Sequence, residues 1–217
     1  MNERARRTLD AILERVIGGY SIDPGRIHLM GTSMGGGSAL AYAIHRPGLA
    51  RSVCAVIAMT DLARWYAETE TYRADLVKAL GGSPEEAPEA YAPFSALCNL
   101  EETFRQMPLF LTGAEKDDRV FPDHAHLLAE RLAAKGYPVI YREAAGAGHS
   151  NQAFAPFGAE VARLSRRPDV TIGGSDRQCV APERLATNVT ADRPHARQAP
   201  PRWPRPSRNS EPTLLRS

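Results

Sequence analysis

The chain has 217 residues, a formal net charge of +2 at pH 7 and 43% hydrophobic residues, which is enough sequence for one domain with a substantial core. Residues 167–217 contain nine Arg and five acidic residues, so they carry +4 and leave −2 for residues 1–166. The basic charge therefore belongs to one end of the chain, which argues against a basic domain built to bind nucleic acid.

Residues 167–217 also differ from the rest in composition. They contain eight Pro and few large aliphatic side chains, so they cannot bury enough apolar surface to form a core. We predict a globular domain at residues 1–166 and a disordered, Pro- and Arg-rich tail at residues 167–217. The charges of the tail are scattered and do not follow one helical face, so no nucleic-acid partner is expected.

Cysteine usage and the N-terminal sequence favour a cytoplasmic location. Cys54, Cys98 and Cys179 are an odd number of widely spaced cysteines, as expected for free thiols in a reducing compartment. The first 20 residues are rich in charge and contain no apolar run long enough for a signal peptide or a membrane span. We therefore expect a cytoplasmic protein without a membrane partner.

Helix and strand patterns alternate along residues 1–166. Apolar residues recur every three or four positions between residues 5 and 17, which predicts an amphipathic helix that ends at Gly18. Short apolar runs bounded by Gly and Pro then predict buried parallel strands. The predicted strands are residues 26–30, 52–59, 108–112 and 139–144, and the predicted helices are residues 34–46, 62–80 (broken), 122–135 and 151–166.

This alternation predicts an α/β fold, in which a parallel sheet is covered by helices on both faces. Four strands can be counted. Residues 81–107 contain three Pro and show no clear period, so they are not assigned to an element. One interpretation is a lid over the site.

Residues 31–35 read Gly-Thr-Ser-Met-Gly, between the first predicted strand and its helix. G-x-S-x-G in this context is typical of a nucleophile elbow, which exposes Ser33 above the sheet. Gly31 and Gly35 are expected to be needed because larger side chains would clash with the neighbouring strand and helix. The helix N-terminus would favour a developing anion. The alternative is an ordinary strand-turn-helix with a capping serine.

Carboxylates that could orient a catalytic histidine follow the third predicted strand. Glu115, Asp117 and Asp118 all lie there, and spacing alone leaves the choice open. Asp117 is favoured as the acid, while Asp118 is expected to hold the loop through backbone amides. Asp61, after the second strand, is expected to cap the helix that follows it.

His149 follows the last predicted strand within the sequence Ala-Gly-Ala-Gly-His-Ser. Gly146 and Gly148 would let this loop approach the elbow closely, so His149 is the predicted base; otherwise it only begins the last helix. Packing or solvent exposure is expected for the other histidines, which lie in a predicted strand, on predicted helices or in the tail: His28, His45, His124, His126 and His195.

The order Ser33, Asp117, His149 suits acyl transfer through a covalent acyl-enzyme. His149 would take the proton of Ser33 as the hydroxyl attacks a carbonyl, and Asp117 would fix the histidine tautomer. The backbone N–H of Met34 would be one oxyanion donor. This chemistry requires no metal and no organic cofactor.

Two segments carry a resemblance to a known family. Residues 22–66, which include IHLMGTSMGGG, and residues 108–150, which include EKDDRVFPDH and GAGHS, resemble the catalytic domain of prolyl oligopeptidase-type serine peptidases. The related acyl-peptidase and esterase branches of the α/β-hydrolase superfamily are similar too. The resemblance covers about residues 4–166 and implies that the first Asp of the DDRV run, Asp117, is the triad acid.

Members of this family normally have four further strands before the helix that opens this chain, and a second oxyanion donor in the loop after the third of them. The resemblance therefore implies a partial α/β-hydrolase fold made of the four C-terminal strands. Its first strand would present an unpaired hydrophobic edge. We expect a truncated product, a chain that needs a missing N-terminal portion, or a homo-oligomer.

Three functions stay open. The leading one is hydrolysis of a peptide or amide bond, and the second is hydrolysis of a small ester by the same triad. The third is a catalytically inactive fragment or binding module, because loss of one oxyanion donor typically costs about a hundred- to a thousandfold in rate.

Overall fold

A computed structural model describes residues 3–100 and 103–166; the tail, predicted to be disordered, lies outside the described residues. Four strands form one parallel sheet in chain order, which confirms the predicted α/β fold. They are β1 (His28–Thr32), β2 (Ser52–Val56), β3 (Leu109–Ala114) and β4 (Val139–Ala144). In register, Met30 lies opposite Cys54, Cys54 opposite Phe110, and Phe110 opposite Ile140.

The helices follow the predicted order. They are α1 (Glu3–Gly19), α2 (Met34–His45), α3 (Leu62–Glu68), α4 (Arg73–Leu80), α5 (Pro88–Tyr91), α6 (Asp123–Ala134) and α7 (Gly158–Arg166). The predicted helix at residues 151–166 begins later than expected, because residues 151–157 form two short 3₁₀ turns. Pro156 lies in the second turn and has no N–H for an α-helical bond. Among the described helices, none combines the length and the apolar character that crossing a bilayer requires.

The first strand also begins two residues later than predicted. Residues Pro24–Arg26 form a 3₁₀ turn in which the Asp23 carboxylate accepts a hydrogen bond from the Gly25 N–H at 2.8 Å. The strand then continues through Gly31 and Thr32, directly to the turn at Ser33. The strand and helix that flank the elbow are therefore joined by a single residue.

Helices cover both faces of the sheet, and side chains alternate between them along each strand. One face packs against α2 and α6 through a cluster that includes Val53, Leu109 and Leu128. The other packs against α7 and the preceding 3₁₀ turns through Phe110 and Val161. All six residues of β3 are buried, which fixes this strand and the loop that leaves it.

Several of the described residues in 81–100 and 103–107 pack in the domain core. Leu97, Phe104 and Met107 pack in the same cluster as α2 and α6, and Phe104 is fully buried. The burial of these three side chains shows core packing, and the lid interpretation stays a prediction. Their apolar side chains lie on short turns such as Ala96–Cys98, which have no helical or strand period.

Helix α1 is attached to the sheet layer by polar contacts. The Tyr42 hydroxyl donates to Asp10 at 2.7 Å, and Arg46 lies 3.4 Å from the same carboxylate. No residue of α1 is buried, and the Ile12 side chain is 53% exposed. In the described sheet, β1 is an end strand, with Met30 exposed.

Candidate active site

Ser33 is the single residue between β1 and α2, and its backbone conformation is strained. Its φ of 56° and ψ of −121° are rare for a residue with a side chain and mark a position that the surrounding structure must hold. The Ser33 N–H donates to the Val56 carbonyl at 2.8 Å, so the turn is tied to the end of β2. This is the sharp turn that the G-x-S-x-G sequence predicts.

The glycines of the elbow have different roles from those predicted. A Cβ on Gly31 would overlap with the backbone carbonyl of Gly35, whereas a Cβ on Gly35 would meet nothing within 4 Å. The expectation that Gly35 must be small to avoid a clash is therefore wrong. Gly36 and Gly37 are the crowded positions of α2, because added Cβ atoms would lie 2.7 Å from the Cβ of Ala58 and 2.8 Å from Met59.

Asp117 is the buried carboxylate of the loop that follows β3. It is 4% exposed, and its Oδ1 accepts hydrogen bonds from the N–H groups of Arg119 and Val120, both at 2.9 Å. Asp118 is exposed. The expectation that Asp118 holds the loop is wrong, since Asp117 takes this role.

The other predicted carboxylates have structural partners. Glu115 accepts a hydrogen bond from the Gly146 N–H at 2.7 Å, which links the loops after β3 and β4. Asp61 caps α3, as predicted, by accepting from the N–H groups of Ala63 and Arg64. Neither carboxylate has a hydrogen bond to His149 among the contacts of the described residues.

His149 connects the loop after β4 to both other predicted triad residues. Its Nδ1 lies 2.8 Å from Oδ2 and 3.0 Å from Oδ1 of Asp117, and its Nε2 lies 2.8 Å from the Ser33 Oγ. Because an ionised carboxylate only accepts hydrogen bonds, we assign the proton to Nδ1 and leave Nε2 to accept from the serine hydroxyl. The side chain is 12% exposed, so it is accessible but largely fixed.

The expectation that Gly146 and Gly148 are needed for a close approach is wrong, and only Gly146 has a backbone conformation that favours glycine. Gly146 has a φ of 70°, which favours glycine, but an added Cβ would meet nothing within 4 Å. A Cβ on Gly148 would make an ordinary contact at 3.6 Å with the Lys116 carbonyl. The Lys116 N–H donates to the Ala147 carbonyl at 2.8 Å, so the two loops are joined by backbone as well.

The Met34 N–H begins α2 and has no acceptor inside the helix, as for every residue in a first helical turn. It is a free donor beside the Ser33 side chain at the positive end of the helix dipole. The Met34 side chain is 72% exposed. An oxygen that becomes negative next to Ser33 could therefore be stabilised by this group.

Sequence reasoning missed the contacts that α3 makes with the acid loop. His124 is fully buried, which agrees with the predicted packing role, and its Nε2 lies 3.0 Å from the Glu68 carboxylate, a contact that the sequence does not predict. Burial raises the pKa of Glu68, but the hydrogen bonds and charges of His124 and Arg64 outweigh it, so the pKa is lowered overall. The Trp65 indole donates to the Arg119 carbonyl at 2.9 Å.

The described residues offer neither a metal site nor a reactive thiol as an alternative to the serine. In the part of the chain that the structure describes, no three or more His, Cys, Asp or Glu residues are grouped so that they could hold a metal ion. Cys54 and Cys98 are free. Burial raises the pKa of the Cys54 thiol to about 11, so it is protonated at neutral pH and a poor nucleophile.

Most of the chain is similar in sequence to a known family. Residues 9–162 match the sequence model of the prolyl oligopeptidase family. A Bacillus subtilis protein named "Uncharacterized peptidase YtmA" is 32% identical over 117 residues, which cover 52% of this chain and 44% of the relative.

Solved structures are similar as well. A puromycin-hydrolyzing peptidase from Mycobacterium tuberculosis has a TM-score of 0.62 at 26% identity, over 72% of this chain and 24% of its own. Acylaminoacyl peptidase from Pyrococcus horikoshii has a TM-score of 0.59 at 20% identity, over 72% and 25%; at this identity the likeness shows the fold alone. The chain thus spans less than half of the curated relative and about a quarter of each of these structures.

Proposed function

Because the chain belongs to the prolyl oligopeptidase family, we propose that it is a serine hydrolase of the peptidase type, with Ser33 as nucleophile, His149 as general base and Asp117 as the orienting acid. The observation that carries the proposal is the pair of 2.8 Å contacts that link the Ser33 Oγ to His149 and His149 to Asp117. Hydrogen-bond reach between nucleophile, base and orienting group is the geometric requirement for this chemistry.

In the proposed reaction, the Ser33 Oγ attacks the substrate carbonyl carbon while its proton passes to Nε2 of His149. The resulting imidazolium is stabilised by Asp117, and it returns the proton to the leaving amine as the C–N bond breaks. A water molecule then attacks the acyl-enzyme, and its proton passes through His149 back to the Ser33 Oγ as the acid product leaves.

The Met34 N–H is proposed as one donor to the oxyanion of the tetrahedral intermediate. The support for this role is the position of the Met34 N–H: it is in the first turn of α2, where backbone N–H groups have no acceptor within the helix, and it directly follows the nucleophile. Donors aimed at developing charge contribute most when they are fixed in advance. The short, strained connection between β1 and α2 fixes this one.

The proposed substrate is a peptide or a related amide. The support is the family itself and the names of relatives, which include peptidases. The same triad would also cleave an ester, which has a better leaving group than an amide. Ester cleavage without amide cleavage is therefore the outcome that would narrow the proposal to an esterase.

Hydrolysis of matched chromogenic substrates tests the proposal. An N-acylated aminoacyl p-nitroanilide and the p-nitrophenyl ester of the same acid are given to the purified chain and to its Ser33→Ala variant. We expect both substrates to be cleaved by the parent and a fall of at least about a thousandfold in the variant. Equal rates for parent and variant, or no cleavage by a folded parent, would contradict the triad assignment.

A further inference from the structure

Helix α3 contacts the middle of the loop that carries Asp117. The Trp65 indole N–H donates to the Arg119 carbonyl at 2.9 Å, and the Trp65 side chain is 7% exposed. This bond joins residues that are 54 positions apart in the chain. It lies two residues after Asp117, between β3 and α6.

The Arg119 carbonyl and the Val120 N–H belong to the same peptide unit. That N–H donates to the Asp117 Oδ1 at 2.9 Å. Because a peptide unit is planar and stiff, fixing its oxygen also fixes the direction of its N–H. The indole of Trp65 is therefore linked to the carboxylate through one rigid group, and Asp117 continues the series to His149 and Ser33.

Trp65 is itself held in place. Its ring stacks on Tyr72 with a centroid distance of 5.4 Å, and it packs against Met59 and Val120. The capping of α3 by Asp61 fixes the start of the helix.

The end of α3 is fixed to α6. Glu68 accepts a hydrogen bond from the fully buried His124, and the Thr60 N–H and hydroxyl bind the ring and the carbonyl of the same histidine at 3.3 and 2.7 Å. Arg64 bridges Glu68 and Asp123. The acid loop is therefore held at its middle by Trp65 and at its end by the Glu68–His124 pair.

We propose that Trp65 is a positioning residue for Asp117, which acts through the peptide unit between Arg119 and Val120. The inference rests on the proposed function, since Asp117 matters for rate only if it orients His149. It assigns the effect to the indole N–H and not to the bulk of the ring. A residue that only fills the core would need the bulk alone.

The sharpest test removes the N–H and keeps the ring. Trp65 is replaced by β-(3-benzothienyl)alanine, in which a sulfur atom replaces the indole N–H group. The parent and the substituted protein both carry Trp203→Phe, so that position 65 is the only tryptophan position in the chain. We expect kcat for the p-nitrophenyl ester to fall about three- to tenfold, as the loss of one ordinary hydrogen bond implies. KM should not change, because the side chain is buried.

A spectroscopic readout separates positioning from stability. The low-field proton resonance of the His149 Nδ1–H should move upfield and broaden in the substituted protein, because a looser Asp117 holds this proton less well. Trp65→Phe, which also lacks the N–H, should do the same. Leu76→Ala is the matched control, since Leu76 packs against the same cluster without bonding the loop; it should lower stability and leave kcat and the resonance unchanged.

The outcomes distinguish the two proposals. If the parent cleaves the ester and the benzothienyl protein has the same kcat and the same resonance, the positioning role of Trp65 is overturned and the proposed function stands. If Leu76→Ala reproduces both changes, the effect belongs to packing and the inference is again overturned. A folded parent that cleaves nothing overturns the proposed function, and the role of Trp65 falls with it.

Discussion

The nucleophile and its two partners come from regions that are held in different ways. Asp117 lies in the loop after β3, and His149 lies in the loop after β4. Backbone and side-chain hydrogen bonds join these two loops, and all residues of β3 are buried. Ser33 follows β1, an end strand of the described sheet in which Met30 is 54% exposed. The acid and base loops are thus joined to each other by several hydrogen bonds, whereas the nucleophile depends on steric fit and on the backbone bonds of Ser33 to Val56 and Gly37.

The largest expected effect on activity is at Asp117, in the pair of loops that hydrogen bonds hold together. Asp117→Asn should lower kcat roughly ten-thousandfold, as in the serine protease triad, because an amide N–H₂ facing His149 selects the wrong tautomer. Stability should change little, since the amide oxygen still accepts from Arg119 and Val120. Asp118→Asn, at the exposed neighbour, is the control in esterase assays and should keep the parent rate; equal losses would reopen the choice of acid.

The second largest effect is expected on the unfolding free energy, at the glycines on either side of Ser33. Gly31→Ala should cost about 3 kcal/mol or more of unfolding free energy, because the added Cβ overlaps with the backbone of α2. Gly35→Ala should be neutral or stabilising by up to about 1 kcal/mol, since its Cβ meets nothing and alanine suits a helix. Urea unfolding of both variants measures the difference, and similar costs at the two positions would contradict the steric account.

The buried pair that anchors α3 should give a smaller, pH-dependent effect. Glu68→Ala should lower the unfolding free energy by about 1–3 kcal/mol at pH 7, because it leaves His124 without its acceptor. The folded-state pKa of Glu68 is lowered from 4.5. Its ionised form therefore stabilises the fold above about pH 4.5, and this contribution is lost as the pH falls through the folded-state pKa.

Unfolding of parent and Glu68→Ala at several pH values checks this prediction. The difference between them should narrow below pH 4.5. The exposed Glu130, which lies 3.4 Å from His126 on α6, offers a matched control, since surface pairs contribute little. If the difference in unfolding free energy between parent and Glu68→Ala stays constant at acid pH, or if Glu130→Ala has an equal effect, the anchoring role of the buried pair is refuted.

The smallest effect is expected at the exposed side chains of the nucleophile side. Met34→Ala and Met30→Ser should each change the unfolding free energy by less than about 0.5 kcal/mol. The Met34 variant should also keep its hydrolysis rate within about threefold, because the proposed oxyanion donor is a backbone N–H. A large loss of rate in Met34→Ala would mean that the side chain contributes to the site.

Much of the fold, together with Ser33 and His149 as candidates, could be predicted from local patterns, whereas the choice of Asp117 among neighbouring carboxylates depended partly on the family resemblance. Apolar runs punctuated by Gly and Pro placed the strands, and Ser33, Asp117 and His149 each follow one of these strands, so a parallel sheet brings them to one edge. The roles of Gly36 and Gly37 were missed because their neighbours, Ala58 and Met59, come from another element.

The other contacts that the sequence did not predict also join residues that are distant in the chain. The bond from Trp65 to Arg119 and the Glu68–His124 pair join residues more than 50 positions apart, and no spacing rule reports such contacts. Residues 81–107 were not placed because their buried side chains lie on short turns without a period. Local sequence therefore predicted the elements and the candidate catalytic residues, while the contacts that position them required the tertiary structure.

Covalent labelling tests whether His149 and Asp117 activate Ser33. The purified chain, with Ser33→Ala and His149→Ala as controls, is treated with a fluorophosphonate probe, and the modified residue is identified by peptide mass spectrometry. The account predicts one adduct, on Ser33, in the parent and none at this position in either variant. A folded parent without an adduct, or one labelled equally after loss of His149, would contradict the proposal that these residues form an activated triad.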